Sequence, residues 1–146
     1  MALRARLNEF SAQFARRLLL AHPEWQGFAR DSEIESGAVE YCVPRPHGDD
    51  SPLVVSTDGD QVTVEFDYMH KHFGWSDVPD DRAFDEALAF IEDILEERVV
   101  VGVVMNGDQW VGSSLLEPGE WPEKQPHEMS YLRSWLGTYD EQITAG

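Results

Sequence analysis

The sequence predicts an α+β domain: a mainly antiparallel sheet of about six strands with two long helices on one face, in the order αβββαβββ. Three observations predict it. Two segments repeat their apolar residues at steps of three and four, the period of an amphipathic helix. Several short runs alternate apolar with polar residues, the period of a half-buried strand. Between such runs stand Asp58-Gly59 and Asn106-Gly107, dipeptides suited to the positive φ of tight hairpin turns. The 146 residues suit one domain over 1–146, and a 42% hydrophobic content is too high for a disordered acidic tail.

Leu3, Leu7, Phe10, Phe14 and Leu18 make the stripe of the first helix, which is expected to reach about Leu20 and stop before Pro23. Arg4, Arg6, Arg16 and Arg17 lie mostly off that stripe, and Arg16 and Arg17 are placed to pair with the acidic body. A polar loop follows, pinned to the core by Trp25 and Phe28. "AVEYCV", residues 38–43, alternates as a strand with Cys42 half-buried in it, and "PRPHGDDSP" ends it because dense prolines cannot continue a ladder. "LVVSTDGDQVTVEF" reads as a hairpin about Asp58-Gly59, with Val62, Val64 and Phe66 on one face.

"PDDRAFDEALAFIEDILEERVV" is the second helix, opening on Pro79, Asp80 and Asp81 as the helix dipole favours. Phe84, Ala87, Leu88, Ile91, Ile94 and Leu95 form its buried stripe. Glu96 and Glu97 close it against the dipole, at a cost of about a few tenths of a kcal/mol, which suggests an acidic face kept for something besides stability. The run from Val99 to Met105 is apolar on both faces and is expected at the centre of the sheet, under the helices. Asn106-Gly107 turns it into "QWVGSSLL"; after the loop "EPGEWPEKQPHE", the run "MSYLRSWLGTY" closes as the final strand.

Charge is the strongest global signal. There are 28 acidic side chains against 11 lysines and arginines, a net of -17. Residues 1–30 hold five arginines against Glu9 and Glu24, a net of +3, so residues 31–146 carry -20. Such a surface repels nucleic acid and anionic membranes and steers a basic partner toward itself. Plain solubility is the other reading of the same acidity. The N-terminal segment does not read as a signal peptide, because Arg16 and Arg17 interrupt its apolar run and no small-residue cleavage site follows. No run approaches the roughly 18 apolar residues that span a bilayer. The expected location is the cytoplasm. A single cysteine, Cys42, excludes an intramolecular disulfide and a cysteine-rich zinc site.

The stretch 66–75, "FDYMHKHFGW", concentrates two histidines, an aspartate, a lysine and four aromatic rings. Read as a regular strand, it puts Phe66, Tyr68, His70 and His72 on one face and Asp67, Met69 and Lys71 on the other. Asp67 is thereby separated from the histidine pair, and His22, His47 and His127 lie at no ligand-like spacing, so no metal site is assigned. "GSS" at Gly112–Ser114 lacks the strand-to-helix elbow of a serine nucleophile. No phosphate-cradling glycine loop or dinucleotide fingerprint is present; no cofactor and no catalytic residue are expected.

Aromatic residues next to carboxylates point instead to a protein interface. Trp110 and Trp135 are expected in the packing, whereas Trp75 and Trp121 stand beside Gly74 or Pro122 and acidic residues. The candidate contact set is Tyr68, His70, His72, Phe73, Trp75, Asp77, Glu117, Glu120 and Trp121. With "FDYMHKHFGW", "NGDQWVGSSLLEPGE" and "SWLGTYD", the chain resembles small acidic bacterial proteins of the immunity type, which neutralise toxins of polymorphic toxin systems. The resemblance is one of size, charge, α+β plan and aromatic-rich hairpins across most of the chain, and it carries over no functional residue. It implies a non-enzymatic binder that caps the basic cleft of a toxin domain, such as a nuclease. Two other readings stand beside it: a small hydrolase or metal-dependent enzyme using His70 and His72, and a homodimeric structural subunit joined through a sheet edge.

Overall fold

The structure, a computed structural model, describes residues 6–46, 51–75 and 77–143. Leu3, Arg4, His47 and part of the proline-rich break lie outside the described residues. Helix α1 spans Glu9–Ala21 and runs into a 3-10 turn over Pro23–Phe28. Five strands follow: β1 Ala29–Asp31, β2 Val39–Val43, β3 Leu53–Asp58, β4 Gln61–Phe66 and β5 Met69–Phe73. After α2 (Asp80–Leu95) come β6 Val100–Asn106, β7 Gln109–Leu116, β8 Met129–Arg133 and β9 Glu141–Ile143. The α+β class and the antiparallel pairing are as the sequence predicts. The strands, however, divide between two sheets, ordered β1-β2-β3-β4-β5 and β7-β6-β8-β9.

Helix α1 begins later than its apolar stripe suggests, because Asn8 accepts a hydrogen bond from the Ser11 N–H at 2.8 Å and caps the first turn. The two helices lie together on the five-stranded sheet. Phe84 of α2 meets Phe10 and Phe14 of α1 with ring centroids 5.0 and 5.6 Å apart. Fully burying a ring, as for Phe14 and Phe84, contributes about 1.5–3 kcal/mol, and the half-buried Phe10 contributes less. Arg17 reaches across to Asp81 and Asp85, the pairing expected for this end of α1. Both helices, both sheets and Trp135 contribute to one continuous core that includes Leu18, Val55, Val64, Ile91 and Val103.

β6 is central in its sheet, between β7 and β8. On its inner face Val101 and Val103 belong to the shared core, with Met105 packed against it, while the helices lie on the other sheet. Its outer face is closed by the loop 117–128. Gly102 permits this: a Cβ there would lie 2.6 Å from Leu116 Cδ1 and 3.2 Å from the Pro122 ring. Both predicted hairpins form, one residue further on, with Gly59-Asp60 and Gly107-Asp108 as the two-residue loops. In each, glycine takes the positive φ of the first loop position, 61° and 59°.

Candidate partner-binding surface

The third hairpin is the one the sequence disguises. β4 ends at Phe66, and Phe66 pairs with Met69 around the two-residue loop Asp67-Tyr68. Asp67 takes a φ of 56° where the other two hairpins use glycine. Aspartate tolerates this left-handed region, so the turn carries no glycine signature. The reading of 66–72 as one continuous strand is therefore corrected, and with it the facing of the histidines. Met69 and Phe73 join Phe66 on the core side, and Lys71 lies with them, its Nζ 5.1 Å from the Phe90 ring centroid. His70 and His72 point to the opposite, solvent face, paired across the ladder with Glu65 and Thr63.

There the imidazoles sit edge to face, 5.1 Å apart, and His72 Nδ1 is 2.7 Å from the Thr63 hydroxyl. Among the described residues no three His, Cys, Asp or Glu side chains converge on a metal-binding position. Asp67 is turned elsewhere, 3.6 Å from Arg133 and 3.5 Å from the Ser51 hydroxyl. The solvent face of the first sheet also bears a groove of about 420 Å³ whose lining includes Arg30, Glu33, Glu40, Ser56, Thr63 and Glu65. Arg30 Nε donates to Glu40 at 2.9 Å, and that hydrogen bond, against the opposing effect of burial, raises the Arg30 pKa.

The candidate contact residues separate into two groups. Tyr68 and Trp75, 50% and 63% exposed, stand at opposite ends of β5, with His70 and His72 between them. Asp77 is exposed just before α2. Phe73 is buried against Phe90, ring centroids 5.6 Å apart, and cannot touch a partner. The second group lies on the other sheet: Trp121 half-buried over the outer face, with Glu117 and Glu120 exposed beside it. Glu120 Oε1 accepts from the Glu117 N–H at 2.7 Å and holds that turn closed. Of the two tryptophans expected in the packing, Trp135 is buried, but Trp110 is 54% exposed on β7, its indole donating to Ser113 Oγ at 2.8 Å.

The run "MSYLRSWLGTY" does not stay a strand. β8 stops at Arg133, and residues 134–140 fold into a turn tied from two sides. Arg45, nearly fully buried, donates to the carbonyls of Ser134 and Trp135 and reaches Asp140 Oδ2 at 2.7 Å. Glu97, with a φ of 57°, accepts from the N–H groups of Leu136 and Thr138 at 3.2 and 3.1 Å and from the Thr138 hydroxyl at 2.5 Å. Burial pushes the Glu97 carboxyl up, but hydrogen bonds from Ser134, Thr138 and Leu136 outweigh it and hold the pKa below its ordinary 4.5. Glu97 is thus an internal tie and not part of an acidic outer face. Nothing in the local pattern marks Arg45 or Glu97, because their partners lie 95 and 41 residues away. Nearby, burial first, then Tyr68 and Asp67, push the Tyr131 phenol up to about 12.

Six arginines, Arg17, Arg30, Arg45, Arg82, Arg98 and Arg133, are engaged in intramolecular ion pairs. Much of the small cationic complement is thereby occupied within the molecule, and the excess of carboxylate faces outward. No helix among the described residues is long and apolar enough to cross a membrane. Comparison with family models, characterised proteins and solved structures finds no match.

Proposed function

We propose that this chain is a non-enzymatic binding protein that captures a basic protein partner, in the manner of an immunity protein capping the cleft of a nuclease-type toxin. The observation that carries this is the joint exposure of Tyr68, Trp75 and Trp110 on a chain of net charge -17 whose arginines are largely paired internally. Exposed rings supply desolvated anchor area, and unneutralised carboxylates supply the long-range field that brings a cationic surface to them. An acidic cap competes directly with the phosphate backbone for a basic cleft. The His70–His72 pair adds polar contacts to that surface, and no convergent group among the described residues favours an enzymatic role for it.

The test is titration of this protein with the separately purified product of the adjoining gene, since an immunity protein is encoded beside its toxin. The expected result is a one-to-one complex that weakens steeply as salt rises and suppresses any nuclease activity of the partner. No binding at 50 mM salt, in either order of addition, contradicts the reading.

A further inference from the structure

The four sheet edges are not equivalent. β1 and β9 are three residues long and contain charged residues, Arg30 and Asp31 in one and Glu141 in the other. β5 carries Lys71 between two histidines. Short length and charge are the usual protections of an edge against added strands. β7, "QWVGSSLL", is eight residues long and has no charged residue. It hydrogen-bonds on one side only, to β6, although β5 of the other sheet also comes close to it, and it exposes Trp110, Val111 and Leu115. A bulge at Val111 interrupts its first half, and Gly112–Leu116 continues in regular register.

Along this edge runs a second feature. A groove of about 440 Å³ opens between β7 and the loop 117–128, with Val104, Gly112 and Leu116 beneath it and Trp121 and Pro122 beside it. A Cβ on Gly112 would meet nothing within 4 Å, so the space over it is open. Glu123 and Glu128 also line it. Glu128 is almost buried, its Oε1 accepting from the Gln125 N–H at 2.7 Å. The loop carries four glutamates, Glu117, Glu120, Glu123 and Glu128, against Lys124 alone, and Lys124 Nζ is turned to the Gln125 carbonyl at 3.4 Å.

We propose that β7 is a docking edge for an extended basic segment of the partner protein, which adds as a strand along Gly112–Leu116 and lays an arginine side chain in the adjoining groove. The proposal rests on the reading of the partner as basic. Main-chain pairing supplies affinity without sequence demands, and the groove supplies selection. A guanidinium matches it better than an ammonium: its stem and planar face lie against Pro122 and the Trp121 indole while its donors reach Glu123 and Glu128. A second copy of this chain is the wrong occupant. Full antiparallel pairing of two β7 strands places Gln109 opposite Leu116, and so Asp108 of each copy opposite Glu117 of the other. Like charges directly opposite destabilise a pair. The same two acids welcome cations at both ends of an incoming basic strand.

The probe is a blocked decapeptide of alternating arginine and valine, with an alternating glutamate–valine peptide as its control. Titration is followed by tryptophan fluorescence and backbone amide shifts. Val111→Lys puts a cation on the edge, Ile34→Lys makes the same change in net charge on a residue of the first sheet's groove that is 92% exposed, and Gly112→Leu fills the open space. The arginine peptide is expected to bind at 20 mM salt with amide shifts centred on 112–116. Val111→Lys and Gly112→Leu are expected to weaken it at least tenfold and Ile34→Lys by less than threefold, with no binding of the glutamate peptide. Equal weakening by both lysine variants, or shifts on another face, overturns the docking edge while leaving the basic-partner reading intact. Absence of peptide binding also overturns it, and the basic-partner reading then fails only if the adjoining gene's product is unbound as well. A dimer of the wild type that Val111→Lys dissociates assigns the edge to a second copy and overturns the proposal.

Discussion

Glu97 shows how misleading a residue can be when seen only along the chain. At a helix C-terminus it reads as an electrostatic cost, yet three hydrogen bonds from residues 136 and 138 make it the anchor of a distant turn. Glu97→Gln is expected to destabilise the fold by about 2 kcal/mol at pH 7, the scale of a buried hydrogen-bond set on a charged acceptor. Because the folded pKa is depressed, this contribution is complete above the unfolded value of 4.5 and is lost as pH falls through the lower folded one. Urea melts at pH 7 and pH 3 check it: the gap between wild type and variant narrows at the lower pH. His70 and His72 make the opposite case, prominent in sequence and modest in structure. With no third ligand converging among the described residues, added zinc is expected to leave the melting temperature within about 1 °C, and a rise of several degrees would restore the metal reading.

At the scale of elements, what repeats locally was legible and what depends on distant partners was not. Both helices and the glycine hairpins follow from period and turn chemistry. β5 escaped because Asp67 occupies the left-handed position that glycine marks elsewhere, and the missed turn reversed the facing of every residue from 69 to 72. Two sheets took the place of one because the connection between halves is decided by which faces Val101, Val103 and Trp135 share, and no periodicity records that. Of the candidate site, the exposure of Trp75 and Tyr68 was anticipated, while Phe73 and Trp110 were exchanged between core and surface. Gly102 sets how closely Leu116 and Pro122 of the outer layer approach β6. Gly102→Ala drives a methyl into Leu116 and Pro122 and is expected to cost about 1–3 kcal/mol, with the Trp121 emission shifting as the loop lifts. Unchanged stability and emission would show that the loop is not seated on that glycine. Asn8→Ala, by contrast, removes one cap and should cost about 1 kcal/mol in thermal unfolding without altering the tryptophan signal.

For the whole molecule, a net charge of -17 governs encounter more than fold. Self-repulsion at this charge disfavours association between copies, and sedimentation at physiological salt is expected to show a monomer. On the proposed reading the charge also draws a cationic partner in from a distance, an effect on the association rate that screening removes, while the exposed rings and the β7 edge would act after contact and set the lifetime of the complex. The most direct test is therefore stopped-flow association with the adjoining gene's product between 20 and 500 mM salt. The account predicts an association rate that falls at least tenfold across that range with a much smaller change in dissociation. An association rate indifferent to salt would contradict it, and the acidity would then belong to solubility alone.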